Sequence, residues 1–214
     1  MTDVHCHVSG GDEAVRELLI GRDFVGVHPW DAAQLTDATQ AELRARLLAD
    51  ERLGVGEIGL DRLRDRNISP TMRDAFVAQL ELAAELARPV VLHGAKCWGE
   101  VVRTCVPYAG RIPAFLFHGF SRSDGLLPDI VRLNGFISIG PAILNDHAVN
   151  YRELARKIPL ERLTVETDRT PENAADCPSV VAVAAKLAEL RGMDLAELER
   201  TTDAAARFLS PCQP

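Results

Sequence analysis

Short, β-rich apolar runs alternate with helical stretches along the whole chain, and this alternation limits the available folds more than any other feature. The runs are Val4 to Cys6, Phe24 to Val27, Leu53 to Ile58, Pro89 to Leu92, Ala114 to Phe117, Gly135 to Ile139 and Leu163 to Val165. Helical spacing falls between them, over Asp12 to Ile20, Thr39 to Asp50, Met72 to Ala87, Asp129 to Leu133, Ser179 to Leu190 and Leu195 to Phe208. The clearest helix, Met72 to Ala87, gathers Phe76, Leu80, Ala83 and Ala87 into one stripe and stops before Pro89. Such alternation implies a parallel sheet covered by helices, either a closed (β/α) barrel or an open doubly wound sheet. Alternation alone does not choose between them.

A chain of 214 residues holds one core but not a second. Residues 1–209 therefore read as one domain, followed by a tail, 210–214, with two prolines that leave it loosely docked. The stretch from Arg169 to Pro178 reads as a long active-site loop. With 24 basic against 31 acidic residues the net charge is −7, which disfavours a protein that wraps duplex DNA non-specifically. It does not disfavour phosphodiester chemistry, because bound cations reverse the local field. Five cysteines without a CxxC pair point to reduced thiols in a cytoplasm. No run reaches the roughly 18 apolar residues of a membrane span, and no basic-then-apolar leader precedes Asp3, so a soluble cytoplasmic protein without membrane contact is expected.

His5 and His7 stand two apart on a strand, so their side chains share a face with Asp3. They are either a chelating pair or two surface histidines. Glu57, His93, His118 and Asp168 repeat one theme, a ligand-type residue at the C-terminal end of an apolar strand, the edge where α/β proteins build their sites. Four histidines and two carboxylates exceed what one tetrahedral ion uses. Two divalent ions sharing a carboxylate fit better, and such pairs activate water for hydrolysis. Mixed nitrogen and oxygen donors accept Zn²⁺, Mn²⁺ or Mg²⁺ alike.

These pieces stand in an order that carries a resemblance: Asp3-x-His5-x-His7, Gly26-Val-His28-Pro29, Gly56-Glu57-Ile58-Gly59-Leu60-Asp61, Phe76-x-x-Gln79-Leu80-x-Leu82-Ala83, Pro89-Val-Val-Leu-His93, His118-Gly-Phe120-Ser121 and Glu166-Thr167-Asp168. The chain resembles the TatD-like metal-dependent hydrolases over most of its length. The resemblance implies a distorted, compact TIM-type (β/α) barrel of the amidohydrolase superfamily, a dinuclear metal centre, and deoxyribonuclease or related phosphodiesterase activity. It implies that His5, His7 and Asp168 hold one ion, that His93 and His118 hold the other, and that Glu57 bridges them. Asp168 is then the general base, Glu166 orients a ligand by hydrogen bonding, and Asp61 and Asp3 either do the same or hold a turn or cap. In the family's GxHP element His28 faces substrate; fixing a turn before Pro29 is the alternative. Trp30 and Trp98 offer faces for base stacking or for packing.

The chain also departs from the family. An arginine is usual two residues after the strand histidine, whereas here Gly94-Ala95 follows His93 and the first basic residue is Lys96. Lys96, Arg122 and Arg169 are the candidate phosphate contacts. The chain is shorter than typical members, and no eighth strand is legible after Val165, so an incompletely closed barrel is expected. DNA ends, single strands or a small phosphoester are the expected substrates, and no obligate protein partner is legible. Two other functions compete: a metallohydrolase of a small cyclic amide, lactone or ester, and a non-catalytic metal-binding barrel.

Overall fold

The structure is a computed structural model that describes residues 1–121 and 124–210. Eight strands run in one parallel sheet in the order β2-β1-β8-β7-β6-β5-β4-β3. They are β1 (Thr2–Cys6), β2 (Arg16–Leu19), β3 (Phe24–Val25), β4 (Gly54–Asp61), β5 (Val90–Ala95), β6 (Phe115–Phe117), β7 (Gly135–Ile139) and β8 (Leu163–Val165). The two ends of the sheet, β2 and β3, meet at a single bridge between Ile20 and Phe24, so the TIM-type barrel is nearly closed.

The eighth strand is thus present, and it lies near the start of the chain. The helix expected over Asp12 to Ile20 is instead a loop followed by β2. Arg16 and Glu17 pair with Thr2 and Asp3, and Leu19 pairs with Cys6. Nine residues make a marginal helix, whereas pairing covers the edge of β1 and buries Leu18.

Among the described residues seven α-helices complete the frame: α1 (Asp37–Ala49), α2 (Pro70–Glu85), α3 (Trp98–Cys105), α4 (Leu127–Arg132), α5 (Val149–Lys157), α6 (Val180–Arg191) and α7 (Leu195–Ala206). Side chains of Thr36, Ser69, Ser179 and Asp194 cap α1, α2, α6 and α7, each accepting a backbone N–H of the first turn. Two helices were not expected. In α3, Trp98, Val101, Val102 and Cys105 are buried at helical spacing, and this packing overrides its β-branched composition. In α5, the buried Leu154 and Ala155 anchor an otherwise polar segment. The described residues include no helix between β1 and β2 or between β2 and β3, and this makes the barrel compact. None of their helices is long and apolar enough to cross a membrane.

Period two along the strands sets the height of the site. Val91, Leu116 and Phe136 are buried and pack with Phe24 in one apolar cluster. His93, His118 and Ser138 follow two residues later on the same strand faces, so the polar layer sits directly on this apolar floor.

Candidate metal centre

Side chains from β1, β4, β5, β6 and the segment after β8 converge on one cavity of about 480 Å³. Its walls include His7, His28, Trp30, Glu57, His93, His118 and Asp168. Glu57 lies at the centre and is 4% exposed. It stands inside β4, which runs on to Asp61, and so does not close its strand as expected. Gly59 lets β4 and β5 approach here: φ is +148°, and a Cβ would lie 2.1 Å from the His93 carbonyl oxygen.

The two Glu57 oxygens serve different sides. Oε2 is 3.6 Å from Nε2 of both His5 and His7, and the same two nitrogens lie 3.5 and 3.7 Å from Asp168 Oδ1. Oε1 is 2.7 Å from His93 Nδ1 and 2.5 Å from His118 Nε2. Ligand atoms within 4.8 Å of one another define three groups: His5, His7 and Glu57; His5, His118 and Asp168; and His28, Glu57 and His93. His28 therefore reaches the cluster, with Nε2 3.9 Å from Glu57 Oε1 and Nδ1 accepting the Trp30 backbone N–H.

The donors fit cations. His5 is fully buried, yet among the described residues neither of its ring nitrogens has a hydrogen-bond partner. Leaving such atoms dry is costly. Donors bound at about 2.0–2.2 Å to one tetrahedral ion stand about 3.4 Å apart, close to the spacings among His5, His7, Glu57 and Asp168.

Backing groups hold the ligands. Asp61 Oδ2 is 2.8 Å from His93 Nε2, on the ring edge opposite Glu57. Glu166 faces His118 Nδ1 at 3.8 Å and accepts hydrogen bonds from the Gly119 N–H and the Ser138 hydroxyl. Asp3 accepts the Thr167 N–H and hydroxyl and the His5 N–H, tying β1 to the segment that carries Asp168. Gln79 of α2 accepts the Val27 N–H and donates to the Val27 carbonyl, fixing the chain just before His28. The roles of Ser138, Thr167 and Gln79 were not legible in the sequence. Ser138 was signalled only as a lone hydroxyl in an apolar run.

Electrostatics follow this packing. Burial opposes charge on Glu57, but His118, His93 and His5 outweigh it and hold the carboxyl well below its usual range. Burial likewise opposes charge on His118, yet Glu57 and Glu166 raise its pKa well above the ordinary value. Burial lowers His7, and it lowers His28 to about 4. Burial would raise Asp168, but the neighbouring His5 and His118 imidazoles bring it below the usual range. Asp168 itself has φ +49°. This left-handed turn sends Asp168 toward His5 and His7 while the Arg169 carbonyl accepts the His7 and Val8 N–H groups.

Two of the expected phosphate contacts, Arg169 and Lys96, lie away from the cavity. The Arg169 guanidinium lies against Gly10, and Lys96 is an exposed turn residue with φ +57°. Neither lines the cavity. Arg122 lies outside the described residues, as do tail residues 211–214. Trp98 is no stacking surface: it is 3% exposed and packs on Phe117 and Phe120. Its ring also covers Gly94, where a Cβ would meet it at 2.2 Å.

Comparison with known proteins agrees with this geometry. Residues 20–210 match the family model described as TatD related DNase. The chain is 31% identical over 194 residues, 85% of its length and 75% of the relative's, to the 3'-5' ssDNA/RNA exonuclease TatD of Pectobacterium carotovorum. It is 27% identical, over 90% of its length and 80% of the relative's, to the uncharacterized metal-dependent hydrolase YabD of Bacillus subtilis. The crystal structure of YjjV, a TatD homolog from Escherichia coli, superposes with a TM-score of 0.82 at 24% identity, covering 99% of this chain and 98% of that one. The family match starts after His5 and His7; the fold, through β1 beside β8, brings those two residues to the others. The chain is a metal-dependent hydrolase and belongs to the TatD-related DNase family.

Proposed function

We propose that this chain hydrolyses phosphodiester bonds at the ends of single-stranded DNA or RNA, using two divalent cations. His5, His7 and Asp168 would hold one, His93 and His118 the other, and Glu57 both. The observation that carries this reading is the division of Glu57, one oxygen facing His5 and His7 and the other facing His93 and His118. The relatives named as ssDNA/RNA exonucleases support the substrate class. Zn²⁺, Mn²⁺ and Mg²⁺ all suit these donors. Cys6, Cys105 and Cys177 are free thiols, in keeping with a reducing cytoplasm.

Bound cations would neutralise charge on the attacked phosphoryl group and lower the pKa of water. The protein supplies the rest. Asp168 is held ionised and lines the cavity, so it accepts the proton of the attacking water. Asp61 fixes the ring of His93 with its Nδ1 aimed at Glu57, and the Glu166 carboxylate faces His118 Nδ1 at 3.8 Å. A cavity of this size admits a terminal nucleotide but not a duplex.

The test is an end-labelled single-stranded oligonucleotide, incubated with protein reconstituted with each metal. Shortening from an end, abolished by chelator, is expected. Asp168→Asn should lower kcat by about 10²- to 10⁴-fold while the bound metal is retained. Turnover of lactones or amides with oligonucleotides untouched would overturn the nuclease reading. A small phosphoester is the second reading, favoured because none of the described cavity-lining residues is a lysine or arginine.

A further inference from the structure

We propose that Trp30 and Arg64 form a nucleobase-stacking subsite at the mouth of the metal cavity, with Arg64 supplying the phosphate contact missing from β5. This inference rests on the nucleic-acid reading above. Trp30 is 46% exposed, a large aromatic surface left open to solvent. It stands edge-on to His28 at 4.6 Å and to His93 at 6.3 Å between ring centroids, one ring beyond the ligand cluster. The Arg64 guanidinium carbon lies 3.7 Å from the centroid of its ring. A second depression of about 350 Å³ adjoins the first across Trp30, lined also by Ala32, Ala33, Arg64 and Met72. Trp30 lines both depressions, so its ring borders the way from the metal cavity to the second one.

The pair is built in and tied to the ligands. Asp61 holds His93 through Oδ2, while its Oδ1 accepts the backbone N–H groups of Leu63 and Arg64. One aspartate thus positions a ligand histidine and the loop that carries the arginine. Among the described residues Arg64 has no carboxylate within ion-pair distance, so its charge remains available to a phosphate. A guanidinium on an aromatic face beside an open cavity suits single strands, whose bases stack regardless of sequence.

Trp98 is buried, so oligonucleotide-dependent quenching of tryptophan fluorescence reports on Trp30. Metal-loaded Asp168→Asn protein would be titrated with a single-stranded trinucleotide and with an abasic trimer of equal charge. Saturable quenching by the first alone is expected, and it should vanish in the added Trp30→Phe substitution. In the otherwise native enzyme, Trp30→Ala should raise KM for the oligonucleotide about ten-fold, with Trp30→Phe intermediate. Arg64→Ala should raise it several-fold, with partial recovery in Arg64→Lys, and for methyl p-nitrophenyl phosphate, which carries no nucleobase, the Trp30 variants should shift KM less than they do for the oligonucleotide. Wild-type strand cleavage with unaltered KM in these variants and no base-dependent quenching would overturn the subsite alone. A wild type that neither binds nor cleaves strands, yet turns over the small diester, would remove the nucleic-acid reading and this subsite with it.

Discussion

The two sides of the cavity are built on opposite plans. On the β8–β1 side, His5 and His7 stand 3.5 to 3.7 Å from Glu57 and Asp168, and among the described residues His5 makes no hydrogen bond with either ring nitrogen. On the β5–β6 side, His93 and His118 close directly on Glu57 at 2.7 and 2.5 Å, with Asp61 and Glu166 behind them. The first side already has the spacing of donors around an ion; the second must lengthen its contacts by about 1 Å to reach it. The difference teaches that the fold leaves one half-site open at its own expense, as an unpaired buried imidazole, and fills the other with an ion pair. The open half should take the first ion, and the closed half the second.

Removing the shared carboxylate breaks this comparison at its root. Glu57→Ala should reduce metal content from about two ions per chain towards none, measured by elemental analysis after dialysis, and it should abolish hydrolysis. Retention of one tightly bound ion would mean that the two sides do not depend on a common oxygen donor. A smaller effect is expected behind the second side. Ser138→Ala or Glu166→Gln should loosen the second ion about 10- to 100-fold and leave the first within error. Calorimetric titration separates the two events, and equal weakening of both would show that Glu166 acts on the whole cavity.

The sequence revealed these two sides unequally. His5, His7, His93, His118 and Asp168 were legible because donors at or beside the C-terminal ends of separate apolar strands are projected to one rim by any parallel barrel. Glu57 was legible through its motif, although its true place inside β4 was hidden by the length of that strand. Backing groups were less legible, because their contacts depend on register. Ser138 meets Glu166 only because β7 pairs with β8, Ser138 opposite Thr164, across 28 residues of sequence. The segment Arg16-Glu-Leu-Leu19 reads as helix by propensity and became a strand because β1 offered an open edge. Arg169 follows Asp168 directly, yet the left-handed turn at Asp168 separates the two side chains, and no spacing rule contains that turn. Trp30 and Trp98 carry the same chemistry in sequence; only burial distinguishes a rim residue from a core one.

Proton competition sharpens the comparison further, with an effect of about ten-fold per pH unit. On the second side Glu57 and Glu166, overcoming burial, raise the His118 pKa well above its ordinary value, which favours a proton on the imidazole that a cation must displace. Below that raised pKa each unit of pH should strengthen the second ion by about ten-fold, with one proton released per ion. On the first side burial lowers the His7 pKa, so above pH 6.5 this ring is already neutral and presents no proton to displace. Titrations at pH 6.5, 7.5 and 8.5, each in two buffers of different ionisation enthalpy, count the protons released at each step. A steep second step beside a flat first step is the expected pattern. A flat second step would show that His118 is neutral before the ion arrives, and the closed half-site would then be held shut by hydrogen bonding alone.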